Sequence, residues 1–275
     1  MPARIGHNAH LREVHRHLSV HYADAARQVE ALSSGQRVNR ASDDPASLAL
    51  ADGIQSEVRA LTEGGRNVQQ SVGLLQVAEG ALGQMTAIVQ RMQALAAEAA
   101  SATYGDTDRS AMNHEFQTLK QEVDRIAAFT TYNGIPLLDA EKELTIQAGP
   151  SEASNDVCRI SLGDMRASGE RLGMADLSLG TAADAQHAMD ALDLSQGALL
   201  DERNRIAAFQ NRLELSATTT EGIVQAMYGS EAEIRGADIA ASVNALTRSQ
   251  ILAQAAASMA GDTATDLERV LSLLQ

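Results

Sequence analysis

The stretch that decides the fold is residues 54–92, which reads IQSEVRALTEGGRNVQQSVGLLQVAEGALGQMTAIVQRM. Its apolar residues recur in steps of four and three that alternate except between Leu82 and Met85, the heptad pattern of a helix that packs on another helix. The members of the pattern are Ile54, Val58, Leu61, Val68, Val72, Leu75, Leu82, Met85, Val89 and Met92, with Gly65 and Glu79 in the two remaining slots. The stretch therefore predicts a long helix with a coiled-coil seam.

Turn chemistry marks both ends of this helix. Asp44 is a capping residue placed directly before Pro45, and proline is favoured at the first helical position. Turn-forming residues follow at 103–106, so we expect the helix to end near Ser101. A shorter helix is predicted through residues 116–126.

A second long helix is predicted over residues 185–227, where apolar residues keep the same heptad register. They are Met189, Leu192, Leu199, Ile206, Leu213, Val224 and Met227. Gln196, Arg203 and Gln210 fill intervening seam positions. Because the two seams share one period, we expect the two helices to pack against each other in a bundle.

Between these helices the periodicity changes. Residues 144–147 and 158–162 alternate as short strands do, and the turn formers between them predict a hairpin with a long turn. A turn at residues 132–134 leads into it. Residues of roughly 130–182 are therefore expected to form a small β-rich patch.

Each end of the chain carries a one-sided amphipathic helix. The apolar residues near the N-terminus are Leu11, Val14, Leu18, Val29 and Leu32, and those near the C-terminus are Ile239, Val243, Leu246, Leu252, Val270, Leu271 and Leu274. Non-helical joints are predicted at residues 33–44 and 229–236. Because such helices need partners for their apolar faces, we expect both to pack on each other and on further copies. The predicted fold class is mainly α: a long coiled-coil-like helical bundle with a terminal helix pair and a small β-hairpin region.

Composition argues against several functional classes. A net charge of −14 disfavours binding to a phosphate backbone, so no nucleic-acid partner is expected. No run approaches the roughly 18 consecutive apolar residues of a membrane span, so no membrane partner is expected. Cys158 is the only cysteine, which leaves no internal disulfide. The first residues lack the apolar segment of a secretory signal, so we expect the protein to stay inside the cell or to leave by another route.

Catalytic motifs are not found in the sequence. His114 and Glu115 could begin a His-Glu-x-x-His zinc motif, but Thr118 stands where the second histidine would be. A glycine-rich phosphate loop, a cysteine pair and a nucleophile elbow are missing as well. We therefore expect no enzyme activity, no cofactor and no metal.

A series of short motifs resembles bacterial flagellins. It begins with LSSGQRVNRASDDPA at residues 32–46 and continues with GGRN at 64–67, EGAL at 79–82, VDRI at 123–126, YNG at 132–134 and FQNR at 209–212. It ends with SQILAQ at 249–254 and VLSLL at 270–274. Because the motifs appear in order and span nearly the whole chain, the resemblance is specific.

The resemblance implies an exported structural subunit that polymerises into the extracellular flagellar filament for swimming motility. Its domains would be an N-terminal inner-tube helix at 1–33, a joint at 34–44, N-terminal rod helices with the hairpin at 45–182, a C-terminal rod helix at 183–229 and a C-terminal inner-tube helix at 230–275. No large outer domain is inserted. A hook-filament junction protein and a secreted helical adhesin or binding module are the alternatives.

The resemblance also implies partners and a surface site. The partners would be further copies of the chain, an export chaperone of the type III route, the filament cap and hook-junction proteins. Arg91, Leu95 and Glu115 match a helical patch that flagellins bury between subunits and that a host flagellin-sensing toll-like receptor recognises. We favour the subunit-contact role for these residues, with receptor recognition as a further role.

The first 21 residues depart from the family pattern because they hold five of the seven histidines: His7, His10, His15, His17 and His21. His17 and His21 lie four residues apart, a helical spacing that can chelate a metal ion. Because no cysteine or carboxylate cluster is near them, the sequence favours polar residues on a helix face.

Overall fold

The structure of the chain, a computed structural model, describes residues 9–151 and 156–272, with side chains described for residues 11–151 and 156–262. The described elements are, in order, α1 (Ala9–Ser34), α2 (Pro45–Ala100), α3 (Asp106–Phe129), β1 (Thr131–Tyr132), β2 (Ile135–Pro136), β3 (Lys142–Gln147), β4 (Val157–Leu162), α4 (Ala182–Arg235) and α5 (Ile239–Ser272). They belong to two compact units, one made of the segments up to Ser56 and from Ala226, the other of Glu57–Gln225. The predicted mainly α fold class is confirmed.

The start of α2 follows the sequence prediction. Asp44 Oδ1 accepts hydrogen bonds from the backbone N–H groups of Ala46 and Ser47, both at 3.1 Å. These bonds satisfy amides at the helix start that have no partner within the helix. The hydrogen bond from the Ser47 hydroxyl is the main cause that lowers the pKa of Asp44 below its ordinary value, and the backbone N–H of Ser47 adds to it.

The end of α2 is closed by a buried arginine that the sequence did not single out. Arg109, in the first turn of α3, donates from Nε to the carbonyl of Ala99 at 2.9 Å and from Nη2 to that of Ser101 at 3.0 Å. A cation at the last carbonyls of a helix satisfies them and offsets the helix dipole. Arg109 therefore fixes the turn between α2 and α3.

The predicted seam of α2 lies in the core of the 57–225 unit. Its members from Leu75 to Met92 are all buried, as are Val58, Leu61 and Val68, whereas Ile54 and Val72 are half-buried. Within the described residues, α2 is the one helix long and apolar enough to cross a membrane by length and composition alone. Burial of this seam accounts for its apolar composition.

At every second seam position of α4, the buried residue lies one position before the predicted one. Leu192, Leu199, Ile206 and Leu213 are buried as expected, but Met189 is 37% exposed, and Gln196 and Arg203 are only half-buried. The buried positions are instead Ala188, Ser195 and Glu202, one residue earlier in each heptad. The reason is that residues 163–181 pack on this side of α4, where they offer polar partners: the Ser195 hydroxyl donates to the carbonyl of Leu172 at 2.5 Å.

Polar residues of the two predicted seams meet across the bundle. Glu79 on α2 accepts a hydrogen bond at 3.3 Å from the side-chain amide of Gln210 on α4. Its other carboxylate oxygen lies 3.9 Å from Arg203 Nη2. A polar layer inside an apolar seam favours one register of the two helices, because other registers leave its groups opposite aliphatic side chains.

The β-rich patch is smaller than predicted. Asn133 (φ 49°) and Gly134 (φ 77°) form the turn between β1 and β2, with both residues in the left-handed region that two-residue hairpins use. β3 and β4 form the predicted hairpin, in register from Lys142 opposite Leu162 to Gln147 opposite Val157. Residues 163–181, all of which are described, run without a strand. Buried side chains such as Met174 and Leu179 hold this segment in the core.

Glu202 is 1% exposed and forms the centre of a buried polar network. Its Oε1 accepts the backbone N–H of Gly163 at 3.0 Å, and its Oε2 accepts Nη1 of Arg171 at 2.8 Å and Nη1 of Arg205 at 3.1 Å. The guanidinium of Arg171 lies so close to Gly163 that a side chain on residue 163 would collide with the guanidinium. The carboxylate thus ties the end of β4 and the following segment to α4.

We expect Glu202→Ala to lower the free energy of unfolding of the 57–225 unit by about 1–3 kcal/mol, because the buried N–H of Gly163 loses its acceptor. Urea unfolding followed by circular dichroism measures this change. The matched control is Asp201→Ala, which removes an exposed carboxylate from the neighbouring position and should change stability by less than about 0.5 kcal/mol. Equal losses in the two variants would contradict the role of the network.

Candidate functional site

The first and last described helices, α1 and α5, pack along each other as a helix pair. The end of α1 and the start of α5 meet, so the two helices run antiparallel. The predicted apolar residues that lie half-buried in this unit are Leu11, Val14, Leu18, Leu32 and Leu246. Ala253 on α5 is 3% exposed, and small residues of this kind allow close packing of two helices.

A second set of apolar side chains on the same helices stays exposed. It comprises Val20, Tyr22, Val29, Ile239, Val243, Ile251, Leu252 and Met259, and is called the exposed terminal face below. Val29, Ile239, Val243 and Leu252 were predicted contact residues, and Ile251 is 59% exposed. The predicted contacts at Val270, Leu271 and Leu274 lie outside the residues whose side chains are described.

The joint between α1 and α2 pairs with the segment between α4 and α5. Gln36 and Gly236 form an antiparallel bridge. The N–H of Arg37 donates to the carbonyl of Arg235 at 2.6 Å, and the N–H of Ala237 donates to the carbonyl of Gly35 at 3.0 Å. Backbone bonds therefore join the two halves of the chain where α1 ends and α5 begins.

Side chains of the 32–46 motif shape the joint. Gly35 adopts φ +69°, the left-handed conformation that commonly follows the last residue of a helix. Asp43 Oδ2 accepts the backbone N–H groups of Asn39 and Arg40 at 3.3 and 3.0 Å, which closes a tight turn. Val38, which lies between Gly35 and this turn, is 1% exposed. The motif thus encodes a defined loop.

The second predicted joint is wrong in its extent. α4 continues through residues 229–235 and ends at Arg235, so only residues 236–238 separate it from α5. The helix formers that follow Gly229 explain why this glycine does not end the helix. Arg235 was missed in the sequence, although it donates from Nε to the carbonyl of Val38 at 3.3 Å and lies 3.7 Å from Asp52.

The predicted surface site on α2 and α3 divides into exposed and buried members. Arg91 donates from Nε and Nη2 to Glu115 Oε1 at 2.9 and 2.8 Å, and the two side chains are about half exposed. Leu95 is 2% exposed and packs in the core, so its side chain does not form part of the surface of this chain. The exposed part of the predicted site is therefore the ion pair alone.

The fold defines a protein built of long packed helices, whose terminal helix pair keeps large apolar side chains exposed. The family model for the bacterial flagellin N-terminal helical region matches residues 5–143. A flagellin of Halalkalibacterium halodurans is 33% identical over 98% of this chain and 99% of its own length. The 30.7 kDa flagellar filament core protein of Treponema maltophilum is 30% identical over the same shares. The crystal structure of Bacillus cereus flagellin matches 56% of this chain and 88% of its own with a TM-score of 0.50 and 32% identity.

The chain belongs to the bacterial flagellin family. Its function is that of a structural subunit that self-polymerises into the extracellular flagellar filament. The family resemblance inferred from the sequence motifs is thereby confirmed, and filament subunit is favoured over junction protein and adhesin.

We expect Leu95→Ala to destabilise the 57–225 unit by about 2–5 kcal/mol, because it opens a cavity in the core. Arg91→Ala should cost no more than about 1 kcal/mol, because it breaks only a half-exposed ion pair. Thermal and urea unfolding of both variants measure the difference. A Leu95 variant as stable as the wild type would show that this side chain is not packed as described.

Proposed function

We propose that the exposed terminal face is the main surface through which the subunits polymerise. The observation that carries this proposal is that α1 and α5 already pack on each other and still expose eight large apolar side chains. Large apolar side chains that stay exposed to water on a helix pair favour burial against another protein. A neighbouring copy supplies that cover in a homopolymer.

The free energy gained by burying these side chains is large enough to drive association of subunits. Complete burial of one such side chain is worth about 1.5–3 kcal/mol, so a few of them in each contact offset the entropy lost on association. The half-buried residues of the pair, such as Leu18 and Leu246, would hold α1 against α5 within one subunit. Exposed residues such as Ile251 would then hold one subunit against the next.

The proposed domains agree with this assignment of contacts within and between subunits. Residues 1–33 and 230–275 would form the inner tube, residues 34–44 the joint, and residues 45–182 and 183–229 the helices around the tube. Because α4 is continuous to Arg235, residues 230–235 continue the long helix, and the C-terminal inner-tube helix itself would begin with α5 at Ile239. Cysteine substitutions at exposed positions in 239–259, tested for accessibility in filaments, would probe this scheme.

The surface formed by Arg91 and Glu115 is proposed as a second subunit contact, which a host toll-like receptor would also recognise when the subunit is free. The ion pair across α2 and α3 supports this proposal, since it presents both charges on one exposed surface. Reporter cells carrying the receptor, treated with wild-type and Arg91→Ala monomers, test the receptor role. Equal responses to both proteins would remove Arg91 from the recognition site.

Export by the type III flagellar route, with an export chaperone, the filament cap and hook-junction proteins as partners, completes the proposed function. A single cysteine suits a chain that must travel unfolded, because no internal disulfide can lock it. The chain would act without catalysis, cofactor or nucleic acid. Loss of the secreted protein in cells that lack the flagellar export apparatus tests the route.

Removal of the residues after Ala260 should abolish polymerisation, because it deletes a large part of the helix that pairs with α1. The central helices should remain folded, since their core lies within residues 57–225. Electron microscopy and circular dichroism of the purified truncated chain measure the two effects. Filaments of normal length from this truncation would contradict the proposal.

Ile251→Asp should slow polymerisation by about tenfold or more, because it places an unpaired charge in a contact that must lose water. Gln250→Asp is the matched control, since it adds the same charge at the adjacent exposed position without removing apolar surface. Light scattering after seeding with filament fragments measures both rates. If both variants polymerise at the wild-type rate, the exposed terminal face is not the contact.

A further inference from the structure

Two histidines on α1 lie side by side. His17 and His21 are four residues apart in a continuous helix, so their side chains project from the same face in successive turns. Their ring centroids are 6.5 Å apart and the ring planes differ by 24°. The two imidazoles therefore stand nearly parallel and next to each other.

Neither ring is engaged elsewhere. Within the part of the chain that the structure describes, neither imidazole forms a hydrogen bond or an ion pair, so the ring nitrogens are free to bind a ligand. His17 is exposed and His21 is half-buried, which leaves room for their side chains to rotate toward a common ligand. The acidic side chains one turn away along this face are Glu13 and Asp24, which pair with Arg16 at 3.3 Å and with Arg27 at 2.6 Å.

We propose that His17 and His21 bind one divalent transition-metal ion of the Ni²⁺, Cu²⁺ or Zn²⁺ class. Two histidines at this helical spacing are the pair with which helices bind zinc, and neutral imidazole is a ligand that all three ions favour. Each nitrogen would lie about 2.0–2.1 Å from a bound Zn²⁺, which requires the rings to turn toward each other. The sequence favoured simple polar residues here, and the adjacency of the two free rings is what changes this interpretation.

The site would be open. No group of three or more histidine, cysteine, aspartate or glutamate side chains that could hold a metal occurs in the described residues, so water would fill the remaining coordination positions. A site with two protein ligands releases its ion readily and follows the general order of affinity, in which Cu²⁺ binds more tightly than Ni²⁺ or Zn²⁺. Metal binding would not depend on polymerisation, because both ligands belong to one helix of one chain.

The test is isothermal titration of full-length, unpolymerised protein with NiCl₂ at neutral pH. We expect one Ni²⁺ per chain, with affinity reduced by about tenfold or more in His17→Gln and in His21→Gln, since loss of even an outer partner of a metal ligand often costs that much. His15→Gln is the control on the same helix: this histidine is exposed but has no histidine three or four residues away, so its loss should leave binding unchanged.

Two results would overturn the site. One is the absence of Ni²⁺ binding to the wild-type chain. The other is unchanged binding in the double variant His17→Gln/His21→Gln, which would place the ion elsewhere, for example at the histidines before residue 11. Circular dichroism of each variant confirms that α1 keeps its helix. Filament formation is measured separately, so failure of the metal site leaves the proposed polymerisation surface untouched.

Discussion

The short backbone pairing between residues 35–37 and 235–237 is the interaction on which the terminal helices depend. It joins segments about two hundred residues apart in sequence. The Arg37 side chain strengthens the pairing, because its Nη2 donates a hydrogen bond to the carbonyl of Ile234 at 2.9 Å. Because α1 ends and α5 begins at this bridge, the two helices must run side by side. Without it, each would be an isolated amphipathic helix, which is marginal in water. The bridge therefore creates the pair whose outer side forms the exposed terminal face.

Sequence periodicity predicted the helices well because it reports which side of a helix is buried. The heptad of α2 and the Asp44 cap were predicted at the residues where they occur, since both depend on local chemistry. In α4 the heptad register set by the large apolar residues placed Met189, Gln196 and Arg203 in the seam. The positions that are buried are instead Ala188, Ser195 and Glu202. Hydrophobicity could not reveal these positions, because their burial depends on polar partners from residues 163–181. A seven-residue repeat of small or acidic residues beside an apolar repeat was the available signal.

The site residues show a different limit of sequence matching. Arg91, Leu95 and Glu115 match one family motif, yet only the two charged side chains reach the surface of this chain. A motif records which residues occur together and does not separate those that touch a partner from those that support them. For the terminal contacts the division is similar: Leu18 and Val29 both fit one amphipathic face, but Leu18 is half-buried and Val29 is 52% exposed. Which member is free depends on where α5 lies, and that information is non-local.

Net charge and exposed apolar surface act in opposite directions on the free subunit. At −14 per chain, copies repel one another, which opposes association of the free subunits through the exposed terminal face. At the proposed contact, association must then gain more from burying side chains such as Ile251 and Leu252 than it loses to this repulsion. Because salt screens the repulsion between exposed charges but leaves apolar burial in place, the balance between soluble subunit and polymer is set by ionic strength as well as by concentration. The acidic composition that argued against nucleic-acid binding therefore also bears on polymerisation, since it opposes the association of free subunits.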